Sequence, residues 1–207
     1  MYVKKRLVII LTCLFILSSV LITFSNNGEY EGFSIVNVII NNKRVKSDIP
    51  AVIFYGKTMM PVREVSEAVK SMVEWNSTTR TVSIIKPEID MIIAKQIEEN
   101  SDGSVSILST IRMLPKGKES TFSSLLQIDG LIKGKYTYRV VILDPKGEVF
   151  HSDGEKQVVV TEEEGSFFKI VPHKNLTFEA AGTYQLCFQL KQGDTYKTLY
   201  QRNLVVY

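Results

Sequence analysis

With 207 residues, 44% of them hydrophobic, the chain holds enough apolar material for one large domain or two small ones. Its formal charge of +3 resides in Lys4, Lys5 and Arg6, because residues 1–28 carry no acidic side chain and the remainder balances 22 basic against 22 acidic groups. A neutral body without a Lys/Arg run excludes electrostatic tracking of a nucleic-acid backbone.

The basic triplet is followed by "LVIILTCLFILSSVLITF", residues 7–24, which contains no charge and only short polar side chains. A basic flank ahead of an apolar run is the order of a secretory signal or an N-terminal anchor. The run exceeds the roughly 7–15 residues of a signal core and reaches the roughly 17–25 needed to span a bilayer as a helix. No small-x-small cleavage site follows it, and Ile10, Leu11 and Thr12 do not form a lipid-attachment box ahead of Cys13. Residues 1–30 are therefore expected to be an N-terminal membrane anchor, with a cleaved signal peptide and secretion as the alternative. Either arrangement leaves the rest of the chain extracytoplasmic.

From residue 31 to 86 the pattern mixes strand and helix. Ile35 to Ile40 predicts a strand, "NNK" (41–43) a tight turn and "RVKS" the returning strand of a hairpin. "AVIFYGKTMMP" predicts a second strand pair turning at Gly56. Val62, Val65, Val69 and Met72 then recur at helical spacing, with Pro61 suited to the first helical position. "MVEW", "NSTTR" and "TVSII" close the segment as a further hairpin. The expectation is a small α+β module with one helix packed on its sheet.

Pro87 marks the expected boundary to a second domain, residues 87–207. Ten short β-rich runs follow, from "DMIIAKQI" to "TYKTLYQRNLVVY", with turn signals such as "NSDG", "DPKG" and "KQGD" between them. Several runs alternate, so that each strand can bury one face. This predicts an all-β, immunoglobulin-like sandwich. "AAGTYQL" resembles the corner of such a sandwich, where a Tyr hydroxyl braces a turn.

Residues 36–84, from "VNVIINNKRV" through "FYGKTMMPVREVSEAV" to "VEWNSTTRTVSI", resemble the copper amine oxidase N-terminal-like domain, with the domain taken as residues ~33–86. Two positions depart from its pattern: Lys70 stands where the family has Gly at the helix end, and Asn76 where it has Asp after Trp75. The resemblance implies an exported protein of a Gram-positive bacterium and a packing or adhesion module. It also implies an accessory domain that holds neither the copper nor the catalytic residues of the oxidase.

Direct inspection of candidate sites agrees with that modest expectation. Gly56-Lys57-Thr58 lacks the upstream Gly of a phosphate-binding loop, since Ala51 occupies that position, and it falls between two strands. Met59 and Met60 are adjacent on a strand and point to opposite faces, which precludes joint chelation of copper and predicts that at least one is core. His151 and His173 fall beside turns without further zinc ligands, and His151-Ser152-Asp153 are consecutive, so they splay apart. These histidines are expected to be solvated turn residues. "NSDGS" and "HSDGE" lack the alternating carboxylates of a calcium loop. Arg63 and Glu67 are expected to pair on the helix surface, Glu162-Glu163-Glu164 to form a solvated loop, and Cys187 to be a small buried strand residue. The sandwich aromatics, among them Tyr136, Tyr138, Phe167, Phe168 and Tyr196, are expected chiefly in the core, with a sugar- or protein-binding face as the sharper alternative.

No residue is thus assigned a catalytic, cofactor-binding or metal-ligating role. The expected function is a non-catalytic extracytoplasmic binding or structural module at the cell envelope, held in the membrane by residues 7–24. Its expected partner is a cell-wall polymer or another surface protein, not nucleic acid. An accessory subunit or enzyme with a dispersed site, and copper handling, remain the alternatives.

Overall fold

In the computed structural model, which describes residues 28–161 and 165–207, strands dominate and a single short helix is described. The expected anchor over residues 7–24 and the acidic run 162–164 lie outside the described residues. Among the described residues no helix is long and apolar enough to cross a membrane. The chain divides into two compact units between Pro61 and Val62.

The first unit contains β1 (Glu29–Tyr30), β2 (Phe33–Val36), β3 (Ile39–Ile40), β4 (Lys43–Arg44), β5 (Ala51–Phe54) and β6 (Lys57–Met59). Strands β1, β2, β5 and β6 form an antiparallel sheet in the order β1-β2-β5-β6, and β3–β4 is a separate hairpin. The run expected as one strand from Ile35 to Ile40 breaks after Val36. Asn41 and Asn42 both take positive φ (50° and 61°), the geometry of a two-residue turn that fits the strand twist. Tyr55 and Gly56 do the same between β5 and β6 (46° and 72°). A left-handed Tyr is an uncommon choice, because its Cβ crowds the following carbonyl.

The second unit opens with helix α1 (Val62–Ala68). Its end is a Schellman cap: the Ser71 amide bonds to the Ser66 carbonyl at 2.8 Å and the Lys70 amide to the Glu67 carbonyl at 3.0 Å. Lys70 occupies the left-handed position (φ 61°), where Gly is the residue of least backbone cost. Strands β7 (Met72–Asn76) and β8 (Thr81–Ile85) form a hairpin whose turn is held by Asn76 Oδ1, which accepts from the Thr78 and Thr79 amides at 3.0 Å each. Asn side chains commonly hold such turns by accepting from the amides two and three residues on.

Thereafter β9 (Glu88–Glu99), β10 (Val105–Thr110), β12 (Glu119–Leu131) and β16 (Gly165–Thr177) make one sheet, ordered β10-β9-β12-β16. Strands β11 (Met113–Leu114), β13 (Gly134–Leu143), β14 (Val149–Ser152), β17 (Gly182–Gln192) and β18 (Thr195–Val206) make the other, ordered β11-β18-β17-β13-β14, with β15 (Lys156–Val160) also paired to β13. One of the ten expected runs, "SVSILSTIRML", is divided at Ile111–Arg112: β10 carries the left-handed Ser109 (φ 53°) and ends at Thr110, and Met113–Leu114 then pairs in the other sheet, parallel to Val205–Val206. Conversely, "SFFKIVP" and "LTFEA", two of the ten expected runs, are joined in β16, which continues past Pro172 to Thr177. Pro172 is tolerated because β16 is an edge strand, where a missing amide need not break a ladder.

The inner faces of both sheets meet in one cluster. Leu126 and Ile128 of β12, Val140 and Ile142 of β13, and Leu186 and Phe188 of β17 are all fully buried in it, at the spacing of two that strands impose. Gly182 (φ 143°) permits Pro145 to approach its backbone, and Tyr184 Oη donates to the Ala180 carbonyl at 3.2 Å, which is the bracing expected of the "AAGTYQL" corner. Met72 and Ile85 also join this core cluster, so the hairpin ahead of Pro87 is packed with the sandwich rather than joined to it by a free linker.

Candidate functional site

Three places in the described residues gather chemistry or exposed surface. The first is inside the sandwich. His173 is fully buried in β16, directly opposite Phe122 of β12, and His151 is half-buried in β14; neither is a solvated turn residue. The correction has a simple cause: Val171 and His173 share inward parity, so the ring that sequence placed beside a turn continues the apolar face. Ser124 Oγ and His173 Nε2 lie 3.0 Å apart, His173 stacks on Phe122 at 4.9 Å, and the two imidazoles are 5.9 Å apart. Burial, with the neighbouring His151 charge second, pushes His173 down to about 4; the nearby Asp153 opposes this.

His173 Nδ1 has no partner. A neutral ring carries one proton, and an orphaned donor is rarer and costlier than an orphaned acceptor. Nε2 is the nitrogen that reaches Ser124, and among the described residues no carboxylate holds Nδ1 as a serine triad requires. Ser124 is itself fully buried, so no substrate reaches it. Asp153, the one carboxylate among the described residues that acts on this ring, accepts from the Val140 amide at 2.7 Å and pairs with Lys156 instead of orienting the imidazole. The cluster is a buried polar contact, not a catalytic triad.

The second place is the outer face of the larger sheet. Arg139 lies over the Tyr196 ring at 4.0 Å and donates to Gln189 Oε1 at 2.8 Å, while Gln189 donates to Thr198 at 3.0 Å. Nearby, Lys197 pairs with Glu67 of α1 at 2.6 Å and Lys70 donates to Gln201 at 3.1 Å. Glu67 thus pairs with the sheet instead of with Arg63. Cys187 is fully buried in β17 as expected, and burial raises its thiol to about 11, which removes the thiolate needed for reactivity.

The third feature is exposed apolar surface, which each unit carries on its own. On β7–β8, the cross-strand pairs Val73–Ile84 and Trp75–Val82 share one face. Trp75 and Ile84 on that face are 56% and 54% exposed, while the opposite face sends Met72 and Ile85 into the core. In the first unit, Phe33 and Phe54 pack at 5.3 Å and Tyr55 meets Phe54 edge-on at 4.6 Å, with Tyr55 90% exposed. Met59 and Met60 are both about half exposed, so neither is the expected core residue. The reason is position: Met59 ends β6, the edge strand of its sheet, and Met60 follows it. Among the described residues no group of three or more His, Cys, Asp or Glu is placed to hold a metal ion.

Comparison with known proteins gives a match to part of the chain. Residues 39–101 match the copper amine oxidase N-terminal domain, a segment that runs past the expected end at residue 86 and through β9. No curated protein matches the chain. Among solved structures, a CARDB domain from Pyrococcus furiosus, in complex with di-metal ions, is 14% identical; the match covers 59% of this chain and 90% of that one, with a TM-score of 0.33. An immunoglobulin-like protein from Pseudomonas aeruginosa is 18% identical over 58% of this chain and 96% of its own, with a TM-score of 0.31. A β-glucosidase from Listeria innocua in complex with glucose is 9% identical; 61% of this chain corresponds to 17% of that enzyme, with a TM-score of 0.33.

Proposed function

We propose that this chain is a non-catalytic, extracytoplasmic binding module of the cell envelope, held in the membrane by residues 7–24. In this reading residues 31–86 and 87–207 act as a copper amine oxidase N-terminal-like module and a sandwich, and the apolar faces of their hairpins engage a wall polymer or another surface protein. The observation that carries the reading is the Trp75–Val82 and Val73–Ile84 face. A two-stranded hairpin gains little stability from leaving Trp and Ile in water, and large aromatics with free faces serve as anchors for sugar rings and protein partners alike. The basic triplet followed by an uncharged run supports export, and the neutral body supports a partner other than nucleic acid.

The test combines topology with binding. External protease added to intact cells should degrade the portion beyond residue 30, and membranes should retain the full chain after high-salt washing. Co-sedimentation with purified cell-wall polymer and cross-linking to surface proteins should each be measured for the parent and for Trp75→Ser/Ile84→Ser. Capture by one of these partners, lost at least tenfold in the variant while thermal stability is kept, is the expected result. Equal capture by parent and variant would overturn the assignment of this face, and protection of the chain inside intact cells would overturn the envelope location.

A further inference from the structure

The four-stranded sheet of the first unit has an apolar face of its own. Ile35, Val52 and Met59 stand side by side in its register, and two positions along, on the same face, come Phe33, Phe54 and Lys57. Tyr30 pairs with Phe33 across β1 and β2, and the Phe33 and Phe54 rings lie 5.3 Å apart. Lys57 is the one charged residue that these pairings place there, whereas Glu29, Ser34, Ile53 and Thr58 alternate onto the opposite face. Such a face ordinarily packs on a core. Here Phe33, Phe54 and Met59 are exposed, and Tyr30, Ile35 and Val52 are only half-buried.

The point at which the chain enters this sheet selects what covers the face. The Ile35 amide donates to the Gly28 carbonyl at 3.1 Å, so Gly28 continues the β1 edge beside a residue of the apolar face. Ser25, Asn26 and Asn27 alone separate Gly28 from Phe24, the last residue of the uncharged run, and that interval spans at most about 14 Å when extended. With residues 7–24 in a bilayer, so short a tether keeps the edge strand within reach of the headgroup layer. Aromatic rings are favoured at that depth, and a Lys there lays its stem on the apolar surface while its ammonium stays among the headgroups. A soluble partner would meet the face only by entering the same layer.

From this we infer that the Phe33–Phe54 face of the first unit lies on a lipid surface, the outer leaflet of the membrane that holds residues 7–24. The inference rests on the reading of those residues as a membrane segment. Burial of the rings drives the contact and headgroup charge adds little, because the face carries Lys57 alone.

The full chain reconstituted in phosphatidylcholine vesicles tests the contact. Trp75, the one tryptophan of the chain, is replaced by Phe, so that a Trp introduced elsewhere is the sole reporter. Phe33→Trp then reads lipid through quenching by acyl-brominated phosphatidylcholine, and Ser34→Trp, next in sequence on the opposite face, is its control; circular dichroism checks that both fold. Emission from Phe33→Trp should fall at least about twofold in brominated vesicles and stay quenched in molar salt, while Ser34→Trp should change by less than about a fifth. Equal quenching of the two, quenching lost in molar salt, or an unquenched Phe33→Trp in a chain that the vesicles retain would each overturn the contact and leave the anchor standing. An unquenched Phe33→Trp in retained chains that also cross-link to one another through this face would overturn it in favour of a second copy. A chain that washes off the vesicles would overturn the anchor reading, and the contact with it.

Discussion

Acidification should loosen the sandwich through His173, and the effect can be worked out from its surroundings. The unfolded chain takes up this proton near 6.5, whereas the buried ring resists it until about 4. Between those values the unfolded state holds more protons, so stability falls as pH falls. The contribution is complete above about pH 7 and fully lost below about pH 4. At about 1.36 kcal/mol for each pH unit, the whole interval corresponds to roughly 3 kcal/mol, of which about 2 kcal/mol disappears between about pH 7.5 and pH 5. That is a large fraction of the stability of an ordinary domain. Urea unfolding followed by circular dichroism across this range measures it. His173→Leu should flatten the pH dependence by about that amount; the loss of the partner of Ser124 Oγ adds a pH-independent cost, so the variant falls furthest below the parent at neutral pH and the gap narrows by about 2 kcal/mol on acidification. The slope thus separates titration from packing. A His173→Leu protein with the parental slope would refute the argument and shift the acid sensitivity to other groups.

Three further outcomes are expected. Gly182→Ala should destabilise by about 2–3 kcal/mol, since an added Cβ would lie 2.8 Å from Pro145 Cγ at a φ of 143° that side chains avoid; a thermal midpoint within error of the parent would contradict this. Tyr184→Phe removes the hydroxyl bonded to the Ala180 carbonyl at 3.2 Å and should cost about 1 kcal/mol in chemical denaturation, with the ring's contacts to Phe178 and Phe150 retained. Lys70→Gly relieves a left-handed backbone by about 1 kcal/mol but gives up the contact with Gln201 at 3.1 Å, so the two effects should nearly cancel; a loss above about 2 kcal/mol would show that the Lys70 side chain outweighs its backbone strain.

The candidate sites show where sequence reasoning was sufficient and where it was not. Gly56, the Asn41–Asn42 turn, the buried Cys187 and the Tyr184 corner were legible because each is a local matter of turn geometry or strand parity. His173 was misplaced because its neighbours Pro172 and Lys174 look like a turn, although its parity with Val171 carried the signal of an inward ring. Met59, Met60 and Trp75 were harder. Whether an apolar strand residue is covered depends on what lies opposite the face it shows, and no pattern within the strand contains that information.

By itself, the amino-acid sequence determined that the body of this protein is a run of short strands with one helix, that its charge is neutral beyond residue 28, and which glycines and asparagines turn the chain. These follow from side-chain periodicity and backbone sterics, which act over a few residues. Only the tertiary structure decided that Met72 and Ile85 belong to the sandwich core, that "SVSILSTIRML" is shared between two sheets, and that Ser124 meets His173 from 49 residues away. Such juxtapositions depend on how strands order within sheets and how sheets stack. That order is fixed by summed burial over the whole chain and leaves no mark on any short stretch of it.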